Sequence, residues 1–392
     1  MYKLIETHNA LLRLTENTIR RGLMDKINHE SRMIAIKGGR GVGKTTFLLN
    51  YGRERYGTTR KCLYININNL FIASNGLYHF IERFNKLGGK VLLLDQIHKY
   101  PNWDIEIKKA YNDFKDIKIV FTGSSILRIR NNPALVGIVD MYNLSGFSFR
   151  EYLEIETGHN FPTYTFDEII NNHKDIAEDI LNKVHPLAYF EDYLKYGYYP
   201  TYISKGSYID SLLKNINLTL EFDIPYINQI DLNCLIKLKK LLFYIANGPN
   251  SNINVSKLSS ATGIARATVL NYIYYMRDAR LITIIQEPDE EDSSSKKPKR
   301  IFTQNPNLLH SICLENIAKG TVINSFFLSQ LFMETQINYT KEADFLINGK
   351  YKVNIVGEND IIKSKKNIIR FKDMLEKGKG NEIPLWLAGF VY

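Results

Sequence analysis

Residues 38–45, GGRGVGKT, fit the spacing GxxxxGK[ST], with an apolar run before them (RMIAIK, 32–37) and a helical run after them (TTFLLNYGRERY, 45–56). Glycines let backbone N–H groups fold around phosphate oxygens, and a helix N-terminus adds positive potential at the same place. The pattern assigns Gly38, Gly39, Arg40, Gly41, Val42, Gly43, Lys44, Thr45 and Thr46 to a nucleotide phosphate. Lys44 is expected to reach the β- and γ-phosphates and the Thr45 hydroxyl to ligate Mg²⁺. The alternative, a chance glycine-rich turn, does not account for the strand before and the helix after.

Val91-Leu92-Leu93-Leu94-Asp95 supplies the second half, a buried strand that ends in a carboxylate placed to hold the metal. An aspartate that merely caps a turn is the bland reading, and the glycine-rich loop weighs against it. The next residue is Gln96, where a base for the attacking water is expected. A glutamine amide orients water but is a very poor base. Nucleotide binding should therefore survive and hydrolysis should be slow, unless another group polarises the water.

These residues need elements to position them. Short apolar runs at 32–37, 62–67, 91–95 and 117–122 alternate with the helical patterns 77–87 and 103–114. Such alternation implies a parallel sheet covered by helices, so residues 1–147 are expected to form an α/β domain. Residues 148–230 carry apolar positions at helical spacing and are expected to be a helical subdomain. Residues 231–305 contain two helical runs around Gly263, then strand-like 281–287 and 301–305, the order of a winged helix-turn-helix. The acidic-then-basic, serine-rich stretch between those strands reads as a solvated loop tip. Residues 306–392 read as a small α/β unit.

Composition bounds the rest. At 392 residues with 44% hydrophobic and 23% charged side chains, the chain is ordinary globular material of two to four domains. Its three cysteines (Cys62, Cys234, Cys313) are scattered and form no CxxC, which excludes a disulfide framework and favours the cytoplasm. No apolar run approaches a membrane span. The net charge of +10 permits DNA or another anion as partner but does not choose one.

The segments LLLDQIHKYPNW (92–103), FTGSS (121–125) and LSGFSFREYL (144–153) make the chain resemble the prokaryotic, archaeal-type AAA+ ATP-binding proteins. The likeness continues through YLKYGYYP (193–200), EFDIP (221–225), the helix–turn–helix and IPLWLAGFVY (383–392). The resemblance implies a P-loop AAA+ domain joined to a winged helix and a C-terminal nuclease-like domain. It implies ATP and Mg²⁺ as cofactors, and Ser124 or Ser125 as the polar sensor near the γ-phosphate, with Ser124 and Gln96 as the residues that bear on catalysis.

The departures from that family matter equally. The family pattern has Asp-Glu where this chain has Asp95-Gln96, an arginine pair where it has Gly137-Ile138, and acids where it has Asn68-Asn69. Arg128 and Arg130 are the nearby substitutes for a charge-stabilising arginine. In the C-terminal unit a nuclease core needs carboxylates and a lysine around a metal. Asp344 is present, but Asn324, Asn354 and Glu358 stand at the other positions. Several such departures together point to a degenerate copy, and nuclease activity is not expected of the C-terminal unit.

Residues 232–310 hold 11 Lys+Arg against 6 Asp+Glu, and the second helix of the turn carries Arg266, Asn271, Tyr272, Arg277 and Arg280. These suit phosphate contacts, so residues 255–300 are the candidate DNA surface. A packing or oligomer module is the alternative. The expected function is an AAA+ protein that uses Mg-ATP as a conformational switch with weak or absent hydrolysis. The competing readings are an active ATPase completed by a second copy of the chain, and a DNA-binding regulator.

Overall fold

The structure is a computed structural model that describes residues 1–392 except 17, 126–131, 134, 205–206, 249–253, 289–296, 314–316, 359 and 361–366. Arg128, Arg130 and most of the charged tip between the two strand-like segments therefore lie outside the described residues. The chain divides into two compact units, Met1–Ser145 and Gly146–Tyr392.

The first unit is built on five parallel strands: β1 (Met33–Gly38), β2 (Cys62–Asn66), β3 (Val91–Asp95), β4 (Lys118–Ser124) and β5 (Asp140–Asn143). Their order is β2-β3-β4-β1-β5. Side chains alternate between faces. Ala35, Leu63, Leu92, Leu94 and Phe121 join Phe80 and Ile107 from the helices Leu77–Lys86 and Trp103–Asp113 in one core. On the other face lies the helix Lys44–Tyr56, which buries Phe47 and Leu48. It approaches the sheet closely at Gly52, where a Cβ would stand 2.6 Å from Leu93 Cδ1.

The strand order puts β1 between β4 and β5, so the loop that follows β1 opens at the carboxyl ends of the strands, where ligands of open α/β sheets bind. β5 was not among the expected strands. All four of its residues are half-buried, so it makes no apolar run.

The edge strand β2 is covered by the helix Tyr2–Leu14. His8 on that helix is fully buried, and its Nδ1 accepts the Tyr64 N–H at 3.1 Å, satisfying an edge donor. Burial pushes the His8 imidazole from 6.5 down to about 4. The folded chain thus keeps it neutral where the unfolded chain takes up a proton. This contribution is complete above pH 6.5 and is lost as the pH falls from there toward 4, by up to about 3 kcal/mol. Urea unfolding at pH 7 and pH 4.5 measures it, and a His8→Gln variant should lack this component.

The second unit begins with helices whose starts are fixed by capping boxes: Ser148 with Glu151, and Thr165 with Glu168. Farther along lie the helices Leu235–Asn247, Val255–Thr262 and Arg266–Asp278. Gly263 turns between the last two with φ 66°. An antiparallel pair follows, β6 (Ile282–Ile285) and β7 (Arg300–Thr303). After the helix Lys319–Leu331 comes a mixed sheet of β8 (Ile337–Asn338), β9 (Phe345–Ile347), β10 (Tyr351–Val356), β11 (Ile369–Lys372) and β12 (Glu382–Pro384). Its order is β12-β11-β10-β9-β8. One hydrophobic cluster runs through this unit, joining Phe149, Phe190 and Tyr193 to Phe326, Phe345, Trp386 and Phe390.

Candidate nucleotide-binding site

The glycine-rich loop leaves β1 at Gly38, where a Cβ would collide with the Leu144 carbonyl oxygen. Gly41 and Gly43 take φ of 88° and 93°, a region that side chains rarely adopt, and Gly43 caps the helix Lys44–Tyr56. Val42 is buried and anchors the loop, and its carbonyl accepts the guanidinium of the buried Arg21 at 3.4 Å. Lys44 Nζ donates to the carbonyls of Gly38 at 2.9 Å and Gly39 at 2.6 Å, which places the ammonium across the loop. Arg40 and Thr46 are half-buried on either side, and Thr45 is exposed at the start of the helix.

Asp95 ends β3 and is 1% exposed. Its Oδ2 accepts the Thr45 hydroxyl at 2.8 Å and the Tyr64 hydroxyl at 3.0 Å, with Asn66 Nδ2 at 3.5 Å. Its Oδ1 accepts the Thr122 hydroxyl at 2.5 Å. Sheet register explains this set. Asn66 pairs with Asp95, and Leu94 pairs with Phe121, so Asn66, Asp95 and Thr122 form one row across β2, β3 and β4. Tyr64 precedes Asn66 by two residues and shares its face. The glycine loop, the Thr45 hydroxyl and a buried carboxylate bound to it form a donor set that fits a phosphate with a divalent, oxygen-seeking cation.

Gln96 follows in a left-handed conformation (φ 60°), and its N–H donates to Thr122 Oγ1 at 3.0 Å. Thr122 thus holds both the carboxylate and the residue after it. Ser124 closes β4 opposite Gly38, and its N–H donates to His98 Nδ1 at 3.3 Å. The Ser125 N–H donates to the Gly38 carbonyl at 3.1 Å, while its hydroxyl is buried with no hydrogen-bond partner. Both serines lie beside the loop. Tyr64, Asn66 and Thr122 are the residues that sequence reading did not single out.

Elsewhere the candidates fare differently. Asp344 accepts the Ile355 N–H at 2.9 Å and lies 3.4 Å from Arg300, while its own N–H donates to Asn354 Oδ1 at 2.9 Å. It pins β9 to β10. Asn324 bonds the Gly320 carbonyl within its own helix, and Glu358 lies 3.7 Å from Lys319. Among the described residues no group of three or more His, Cys, Asp and Glu side chains could hold a metal.

On the helix Arg266–Asp278 the expected set of phosphate contacts needs correction. Tyr272 is buried, Arg277 pairs with Asp278 at 2.7 Å, and Arg280 lies over the Phe332 ring at 4.2 Å. Arg266 and Asn271 are exposed. Apolar spacing turned Tyr272 into the core, where it stands between Val269 and Met276 on the buried face. No helix among the described residues is long and apolar enough to cross a membrane.

Residues 187–313 match a domain of unknown function (DUF8612). The uncharacterized protein MJ1637 of Methanocaldococcus jannaschii is 25% identical over 383 residues, covering 90% of this chain and 80% of that one. Among solved structures, PCH-2 of C. elegans shares 16% identity at a TM-score of 0.24, covering 44% of this chain and 48% of its own. AMPPCP-bound DnaA from Aquifex aeolicus shares 13% identity at a TM-score of 0.27, covering 67% and 90%. Likeness at those scores carries no weight for fold or function. Residues 30–153 match the family described as an AAA domain. That span holds β1 to β5, the glycine loop and Asp95, so the likeness to that family falls on the elements that build the site.

Proposed function

We propose that the chain binds Mg-ATP at residues 38–46 with Asp95 and uses it as a conformational switch, with hydrolysis weak or absent because of Gln96. The observation that carries this reading is the buried Asp95 carboxylate tied at 2.8 Å to the Thr45 hydroxyl at the start of the loop's helix. When bound, the metal would offset the polyphosphate charge. The loop N–H groups and Lys44 bind phosphate oxygens, Thr45 and Asp95 hold the metal side, and Ser124 or Ser125 senses the far phosphate. At Gln96 the chain offers an amide that can orient water and cannot take its proton.

Titrating Mg-ATP while following phosphate release on one preparation tests the reading. Tight binding with release far slower than 1 s⁻¹, against roughly 10 s⁻¹ for a typical enzyme, supports it. Brisk release from the unaltered chain overturns it in favour of an ATPase whose base or arginine comes from a second copy. We place the protein in the cytoplasm, consistent with the free state of Cys62, Cys234 and Cys313.

A second reading is favoured by the exposed side chains around the Gly263 turn. Lys257 on the helix before the turn, and Arg266 and Asn271 on the helix after it, lie there among small residues, as in a winged helix. Binding of a duplex DNA is then expected to weaken with salt at a log–log slope of about −2, one for each of two cations. Arg266→Ala should reduce that slope by about 1 in a fluorescence-anisotropy titration. A flat salt dependence would leave this segment a packing module.

A further inference from the structure

We propose that Tyr64 is a positioning residue for the metal side of this site, and that the N-terminal helix holds it in place; the proposal rests on the Mg-ATP reading above. Neither part is suggested by the glycine loop or the strand-end carboxylate, and the helix Tyr2–Leu14 lies before the span that matches an AAA domain.

The Asp95 oxygens are the meeting point of three elements. A carboxylate has about four acceptor positions. On Oδ2 the hydroxyls of Thr45 and Tyr64 take both positions at 2.8 and 3.0 Å, and Asn66 Nδ2 lies beside them at 3.5 Å, the limit of a hydrogen bond; on Oδ1 the Thr122 hydroxyl takes one at 2.5 Å. Tyr64 and Thr45 share one oxygen, Oδ2. Thr45 comes from the loop's helix and Tyr64 from the edge strand, so the phenol fixes the oxygen that the loop hydroxyl must meet. The group is buried, where a hydrogen bond to a charged acceptor is strong.

Tyr64 is itself held. It lies on β2, at the edge of the sheet, and its N–H donates to His8 Nδ1 at 3.1 Å. Helix, edge strand and carboxylate thus form one line: His8, Tyr64, Asp95, Thr45. An aromatic side chain wanted only for packing would need no hydroxyl at this place. The hydroxyl is 3.0 Å from the carboxylate that the metal side depends on.

Tyr64→Phe keeps the ring and removes only that hydroxyl. Binding of a fluorescent ATP analogue, N-methylanthraniloyl-ATP, is measured with EDTA and across a Mg²⁺ titration, on the full chain. The expected result is unchanged affinity in EDTA, within twofold, and a Mg²⁺ requirement raised roughly tenfold, the size of one hydrogen bond to a charge. In an Asp95→Asn background the same substitution should have no further effect on the Mg²⁺ titration, because the phenol has no carboxylate left to position. Superimposable Mg²⁺ titrations for Tyr64→Phe and the unaltered chain overturn the proposal. So does an equal loss with and without Mg²⁺, which is what a merely structural role gives, and so does an effect that persists beside Asp95→Asn. Failure of the unaltered chain to bind the analogue in either condition removes the Mg-ATP reading, and this role with it.

Discussion

Gln96→Glu is expected to raise the rate of phosphate release about 10²-fold or more, with nucleotide affinity nearly unchanged. The substitution exchanges one polar atom for another on a residue whose backbone is already fixed: φ is 60° and the N–H is bonded to Thr122 Oγ1. What changes is the capacity to take a proton. General-base catalysis contributes about 10²–10⁴ in rate. The new carboxylate would follow the buried Asp95 directly, and a like charge nearby raises a carboxyl pKa toward the range where it serves as a base. Single-turnover phosphate release, measured beside binding of the same nucleotide, separates the outcomes. Faster release at constant affinity shows that Gln96 is the block. Constant release would mean that the arginine absent at Gly137-Ile138 limits the chemistry instead.

Asn307→Ala is expected to destabilise the second unit by about 3–5 kcal/mol, more than a typical substitution. Asn307 is fully buried at the start of the helix Pro306–Ile312. Its Oδ1 accepts the Tyr198 N–H at 2.8 Å and the Tyr208 hydroxyl at 2.5 Å. Its Nδ2 donates to the carbonyls of Tyr193 at 3.0 Å and Leu194 at 2.8 Å. Those carbonyls belong to a π-helical turn, Tyr193–Gly197, whose wider winding leaves ordinary helical pairing. One amide therefore completes four buried groups. Removing it takes a buried partner from each, at up to roughly 1–3 kcal/mol where nothing else takes its place. Urea unfolding reads the loss as a lower midpoint at constant slope. Asn307→Asp should also destabilise, since a second acceptor would then face the two carbonyls. A change below 1 kcal/mol for Asn307→Ala would mean that water or a shifted turn replaces the amide.

The parts of the site legible in the sequence are those with a strong local pattern. Central parallel strands are buried on both faces, so β1, β3 and β4 stand out as apolar runs, and the glycine spacing carries its own geometry. β5 and β8 are half-buried and short, and nothing in Asp140–Asn143 or Ile337–Asn338 separates them from loop. Tyr64, Asn66 and Thr122 were illegible for another reason. Each is an ordinary strand residue until register sets it beside Asp95, and register is a property of pairs of strands. Tyr272 marks a third limit: the same side chain serves a phosphate or a core, and only the buried stripe of its helix decides.

The closure of the second unit has a consequence for the order of events as the chain is made. Its first residues are bonded to its last: the Tyr392 hydroxyl donates to the Gly146 carbonyl, Arg150 Nε to the Tyr392 carbonyl, and the Tyr164 N–H to the Phe390 carbonyl. Trp386 and Phe390 lie in the same cluster as Phe149. The first unit owns its sheet and its core by residue 145. It can fold while the rest is still in synthesis. The second cannot close its core until the stretch 385–392 has left the ribosome, so its opening helices wait, apolar faces uncovered, through more than half the chain. Through that interval the uncovered apolar faces are the part of the chain most open to aggregation.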